Sequence, residues 1–236
     1  MAQDRSDLDA RPVTIPARDA QLSGDLTVPV GARGIVLFAH GSGSSRQSPR
    51  NQFVARQLVE SGLATLLFDL LTPAEEERDR WTGELRFDVL LLAHRLSLAT
   101  QFVRGLPATG DLRIGYFGAS TGAAAALIAA AALPQVVGAI VSRGGRPDLA
   151  SDALEHVAAP TLLIVGSEDR DVIELNRRAY ARLRCEKHLE IIPGATHLFE
   201  EPGTLEAVAR LAAAWFRHFL VERRQTDSES TQGALR

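Results

Sequence analysis

The pentapeptide Gly118-Ala119-Ser120-Thr121-Gly122 has the form G-x-S-x-G and stands between an apolar run at 113–117 and an alanine-rich segment. A serine hydroxyl is a weak nucleophile at neutral pH, so its use requires a base within reach and a third group that orients the base. In a strand-turn-helix setting this pattern holds the serine in a strained backbone conformation at the tip of the turn. The flanking glycines then admit neighbouring strand and helix without a Cβ clash. Ser120 is therefore the candidate nucleophile.

Two later loops offer base and acid in the chain order that such a turn demands. An apolar run at 161–165 is followed by Gly166-Ser167-Glu168-Asp169-Arg170-Asp171, and another at 189–192 by Pro193-Gly194-Ala195-Thr196-His197. Of the 6 histidines, His197 alone occupies the loop after the last apolar run, which makes it the candidate base. Asp169 is the preferred acid. Glu168 stays open as an alternative, as does Asp171, which could instead begin the next helix as an N-cap.

Acyl transfer also needs N–H donors aimed at the oxygen on which negative charge develops. Thr121 supplies one from the backbone at the start of the helix, where the helix dipole adds positive potential. The second is expected from His40-Gly41-Ser42-Gly43-Ser44-Ser45, with Ser42 preferred and Gly43 behind it. This loop lacks both the lysine and the G-x-x-x-x-G-K-[ST] spacing of a phosphate cradle.

These loops are useful only if regular elements bring them to one edge. Short apolar runs at 35–39, 64–68, 114–117, 136–141, 161–165 and 189–192 read as buried strands. Segments with helical spacing fall between them, at 51–60, 87–103, 120–133, 149–156 and 172–183, and a last one spans 205–221 with Leu205, Val208, Leu211, Trp215 and Phe219 near one face. Strands alternating with helices predict a mostly parallel α/β sheet with helices on both faces, and 13–15 with 21–28 form a hairpin at one antiparallel edge.

Only one helix fits between 141 and 161, so no cap domain is expected over the site. Covering residues would come instead from the polar stretch 72–86. There Trp81 serves either as pocket wall or as ordinary surface or core packing, and Glu75, Glu76 and Glu77 read as a solvated helix face. Arg143, Arg46, Arg50 and Arg146 flank the same edge. They either bind an acidic substrate group or form ion pairs that fix the loops.

Composition excludes other classes. The 26 basic and 29 acidic residues give a net charge of -3 without a block of one sign, which argues against a nucleic-acid partner. No run reaches the roughly 20 apolar residues of a membrane span, and 1–12 lacks a signal-peptide core. With a single cysteine, Cys185, neither an internal disulfide nor a structural zinc site is expected, and no metal or cofactor is called for. The expectation is one domain over 13–221 between a flexible 1–12 and a disordered 222–236, in the cytoplasm, as a monomer or homodimer.

His40-Gly41-Ser42-Gly43, the G-x-S-x-G turn, Gly166-Ser167-Glu168-Asp169 and Pro193-Gly194-Ala195-Thr196-His197 together resemble the dienelactone hydrolase-like branch of the α/β-hydrolase superfamily, over nearly the whole chain. The resemblance implies the α/β-hydrolase fold. It also implies a Ser120-Asp169-His197 site acting on carboxylic esters or lactones through an acyl-enzyme. Dienelactone hydrolases proper carry cysteine where this chain has Ser120. The same residues would also serve an acyltransferase or a perhydrolase, and a non-catalytic binding module on this fold is the rival from another class.

Overall fold

The computed structural model describes residues 10–18 and 20–222. Eight strands form one sheet: β1 (Arg11–Ala17), β2 (Ala20–Thr27), β3 (Gly34–Ala39), β4 (Ala64–Phe68), β5 (Arg113–Ala119), β6 (Val137–Arg143), β7 (Thr161–Gly166) and β8 (Lys187–Ile192). Their order is β1-β2-β4-β3-β5-β6-β7-β8. The β1/β2 and β2/β4 pairs are antiparallel and every other pair is parallel. This is the hairpin-edged parallel sheet that the spacing of apolar runs requires. β1 begins at Arg11 and so takes in the last two residues, Arg11 and Pro12, of the segment expected to be flexible. Residues 1–9 of that segment, and 223–236 of the tail, lie outside the described residues.

The helices are α1 (Pro49–Glu60), α2 (Pro73–Thr82), α3 (Val89–Gly105), α4 (Thr121–Ala132), α5 (Arg170–Arg182) and α6 (Thr204–Arg217). A 3-10 stretch, Pro147–His156, replaces the helix expected at 149–156 and is kinked at Ser151, and a π turn, His218–Glu222, ends the last helical segment. The face that α6 buries runs through Val208, Ala209, Ala212 and Phe216, about one residue round from the expected stripe, with Leu205, Leu211 and Trp215 at its margin.

Two apolar cores form, one on each face of the sheet. Val36, Phe38, Ala139, Val141 and Ile164 pack toward α1 and α6, while Ile35, Leu37, Tyr116 and Ile140 pack toward α3 and α4. Alternation along each strand produces this division, since successive side chains point to opposite faces. Ala123, Ala124, Ala125, Ala126, Ala129 and Ala130 of α4 are buried, which lets the helix that follows Ser120 lie close on the sheet.

α2 was not legible as a helix from apolar spacing, because it is polar on nearly every side. What holds it is local chemistry. Thr72 and Glu75 form a reciprocal capping box, Pro73 opens the first turn, and Gly83 closes the helix with φ of 67°. Two of the three glutamates also differ from the expected solvated face. Glu75 grips buried Arg95 through two bonds of 2.7 and 2.5 Å, and its carboxyl pKa is held down to about 2, chiefly by that guanidinium. Glu76 is half-buried, with its pKa raised by desolvation and by Asp69, and only Glu77 is solvated, paired with Arg80.

Candidate functional site

β5 ends at Ala119, and the chain then turns directly into α4 through Ser120, which sits at φ 50°, ψ −122°. A left-handed φ is costly for a residue with a Cβ, and the surroundings hold it there. The Ser120 N–H donates to Arg143 O at 3.3 Å, while the N–H groups of Ala123 and Arg146 donate to Ser120 O at 3.1 and 3.0 Å. A Cβ on Gly118 would fall 2.5 Å from Ala123 Cα, and one on Gly122 would fall 2.1 Å from Ala39 O. Both contacts are forbidden, so the two glycines of the motif are what allow the turn to pack.

The loops after β7 and β8 are laced together beside this turn. Ser167 N–H donates to Ile192 O at 2.9 Å, Glu168 N–H to Ala195 O at 3.0 Å and Gly194 N–H to Ser167 Oγ at 2.8 Å. Gly166 is the residue that permits the approach, since a Cβ there would sit 2.2 Å from Ala195 O. Its place at the strand end is visible in the sequence, but not what it touches. Thr196 is anchored to Glu201 through both its N–H and its hydroxyl, at 3.1 and 2.6 Å.

Across these loops Nδ1 of His197 and Oδ2 of Asp169 lie 2.6 Å apart. Of the three acids that the sequence left open, Asp169 is the one in contact with His197. Glu168 turns to Ser167 Oγ at 3.0 Å, and Asp171 is exposed in the first turn of α5. The imidazole is half-buried and lies over Gly144, whose ideal Cβ position is 3.5 Å from Nδ1. Ser120 and His197 therefore flank the same dipeptide, Arg143-Gly144, at the carboxyl edge of the sheet.

On the other side of Ser120 runs the loop after β3. An ideal Cβ on Gly41 would be 3.0 Å from Ser120 Cβ, so the loop backbone lies against the serine and the next N–H in the chain is that of Ser42. Among the described residues that N–H finds no backbone acceptor, and Thr121 begins α4, where the first amides have no partner within the helix. Gly43 makes the bend beyond, with φ of 68°.

His40, which was not singled out from the sequence, braces this loop. It is buried, its Nε2 accepts the Leu70 N–H at 3.0 Å, and its Nδ1 lies 3.0 Å from Gly41 O. Desolvation lowers its pKa and favours the neutral ring, outweighing the hydrogen bond to Gly41 and the charge of Asp69.

A cavity of about 290 Å³ opens beside the loop, lined among others by Ser42, Gly43, Glu76, Asp79 and Arg86. Trp81 is not among its walls; it is 85% exposed on α2, so its place is on the surface. The basic residues of the rim divide. Arg46 pairs with Asp25 at 3.1 Å and with Asp69, Arg50 with Glu200 at 3.0 Å, and Arg146 with Asp148 at 2.8 Å. Arg143 is buried, and among the described residues its Nε and Nη1 have no hydrogen-bond partner. Among the described residues no three His, Cys, Asp or Glu side chains gather as a metal site, and no helix is long and apolar enough to cross a membrane.

Known proteins share this fold. A dienelactone hydrolase from Anabaena variabilis is 58% identical and superposes with a TM-score of 0.88, covering 90% of this chain and 98% of its own. Est1E from Butyrivibrio proteoclasticus (16% identity, TM-score 0.74, 88% of this chain and 98% of its own) and a Pyrococcus furiosus esterase (18%, 0.72, 92% and 95%) share the fold. In Mycobacterium tuberculosis a protein named "Putative phosphoribosyl transferase" is 59% identical over 204 residues, 86% of this chain and 45% of its own. The chain thus spans about half the length of the curated relatives it matches. The model of the dienelactone hydrolase family matches residues 22–220, and that family together with the Anabaena relative supports hydrolase chemistry. Because the match takes in the serine turn, both laced loops and the sheet that carries them, the chain belongs to the dienelactone hydrolase family.

Proposed function

We propose that the protein is a serine hydrolase of small carboxylic esters or lactones. The observation that carries this reading is the 2.6 Å contact between Asp169 and His197, made on the same sheet edge that holds Ser120 at a positive φ. Ser120 Oγ attacks the ester carbonyl and its proton passes to Nε2 of His197, while Asp169 accepts the Nδ1–H and stabilises the imidazolium. The N–H groups of Thr121 and Ser42 receive the oxyanion. His197 then protonates the departing alcohol, leaving an acyl-Ser120 ester. Water attacks this ester with His197 as base, the acid departs and the Ser120 proton is restored.

The transferase name of the mycobacterial relatives belongs to chains about twice as long as their match here, and the glycine-serine loop of this chain has no lysine with which to hold a phosphate chain. Hydrolysis therefore accounts for these residues better than phosphoribosyl transfer does. A fluorophosphonate probe should label the wild-type protein and turnover of p-nitrophenyl acetate should stop as it does so, with both lost in Ser120→Ala. Labelling that persists at full stoichiometry in Ser120→Ala would overturn the reading.

A further inference from the structure

The cavity of about 290 Å³ is lined both by the loop after β3 and by α2. Glu76, Asp79 and Arg80 fall three and four residues apart, so they share one face of α2, and that face is the cavity wall. The wall is held in place by polar bonds. Arg95 joins Glu75 to Leu70 O, while Asp79 is 2% exposed and accepts the Leu85 N–H and the Arg86 Nε–H, both at 2.6 Å. The cavity reaches the chemistry through Gly41 and Ser42, which line it, since Gly41 also lies against Ser120.

The charges around this cavity cancel except at one residue. Arg86 is bonded to Asp79, Arg80 pairs with Glu77 at 3.0 Å, and Arg46 is held by Asp25 and Asp69. Burial favours the neutral ring of His40. Glu76 makes no hydrogen bond or ion pair among the described residues. Desolvation and the charge of Asp69 raise its pKa, and the more distant pull of Arg80 and Arg46 does not make up the difference. A carboxylate so placed gains from a ligand that brings a positive charge, whereas an anion would meet a like charge.

We infer that Glu76 is a specificity-determining residue, and that it receives a cationic group of the substrate, an ammonium, in the cavity beside the oxyanion loop. The enzyme then selects esters that carry a positive charge away from the scissile carbonyl. This rests on the reading of Ser120 as nucleophile for turnover, but not for binding.

Turnover is measured with two matched ester pairs, in each of which trimethylammonium is exchanged for a tert-butyl group of nearly the same size. On the acyl side the pair is the p-nitrophenyl ester of γ-(trimethylammonio)butyric acid and its tert-butyl isostere; on the alcohol side it is acetylcholine and its tert-butyl isostere. Each kcat/KM is divided by the rate of uncatalysed hydrolysis of the same ester at the same pH, which removes the effect of the charge on carbonyl reactivity. Wild type should favour the cationic member of at least one pair by about five-fold, the worth of one ion pair at a partly exposed carboxylate. The pair that responds shows whether the acyl or the alcohol part enters the cavity. Glu76→Gln should bring that ratio close to one and Glu76→Lys below one, whereas Arg78→Gln, at an exposed position of the same helix, should leave it unchanged. A wild-type ratio of one or less in both pairs would overturn the proposal, as would a Glu76→Gln protein that keeps the wild-type ratio or an Arg78→Gln protein that loses it equally. If Glu76→Gln does not fold, the ratio in Glu76→Lys decides in the same way. Should no ester be turned over, p-nitrophenyl acetate included, the Ser120 reading fails. The cation site is then judged by melting temperature: a rise with choline chloride over sodium chloride at equal concentration that Glu76→Gln abolishes supports it, and no rise, or one that persists in the variant, overturns it.

Discussion

Asp169 occupies the N-cap position of α5, yet its side chain accepts none of that helix's free amides and instead meets His197 Nδ1 at 2.6 Å. An acid at this position ordinarily caps. Here the backbone at φ −94°, ψ 61° sends the carboxylate across to the neighbouring loop, so its contribution lies in the imidazole rather than in the helix.

Asp169→Asn should therefore cost activity and little stability. The amide cannot stabilise an imidazolium and favours the wrong ring tautomer, which on comparable triads lowers kcat by about 10⁴-fold. With no cap bond lost, the melting temperature should stay close to wild type. Ester turnover and a thermal melt on the same preparation check this, and a variant that keeps a tenth of wild-type kcat would remove Asp169 from the mechanism.

How far the sequence went can be judged at this pair. The serine turn was legible because glycine at two fixed offsets, between an apolar run and an alanine helix, has a steric meaning independent of context. The choice among Glu168, Asp169 and Asp171 was not settled there, since it depends on one backbone rotation that no spacing encodes. His40 and the Glu75-Arg95 grip were missed because the meaning of each lies in a partner 20 or more residues away, at Leu70 and Arg95 respectively. The signal for α2 was present as Thr72-Pro73 and Glu75, but a helix with no apolar stripe offers no periodicity to find. The inner strands of the parallel sheet, such as β3, β4 and β7, were readable because buried strands need uniform apolar runs.

Gly122 gives a second test, in which the packing of α4 is linked to the geometry of the turn. A methyl group at this position meets Ala39 O at 2.1 Å and has backbone on every near side, so the helix start must lift away from β3. Gly122→Ala should lower stability by about 1–3 kcal/mol, as overpacking of a tight core does. It should also reduce kcat/KM more than that loss alone implies, because Thr121 and its N–H move with the helix. Urea unfolding and ester kinetics on one sample separate the two effects, and wild-type kcat/KM in a destabilised Gly122→Ala protein would show that the turn tolerates the shift.

The pH dependence of stability follows from buried His40 and half-buried Glu75, which have different windows. His40 has its pKa lowered on folding, chiefly by desolvation, so the unfolded chain binds its proton more readily. Stability from the neutral ring is present above the ordinary value of 6.5 and is lost as pH falls below it. Glu75 also has a depressed folded pKa, about 2 against an ordinary 4.5, because Arg95 holds its carboxylate. Its stabilisation is full above 4.5 and disappears between there and about 2. Melting temperature should accordingly fall in two stages on acidification. His40→Gln, which retains an acceptor for the Leu70 amide, should flatten the stage just below 6.5, and Glu75→Gln the stage below 4.5, each from a lower starting stability. Melts from pH 8 to 3 in the three proteins decide the matter: if either variant keeps the full wild-type slope in its own window, the group replaced there is not the one that titrates.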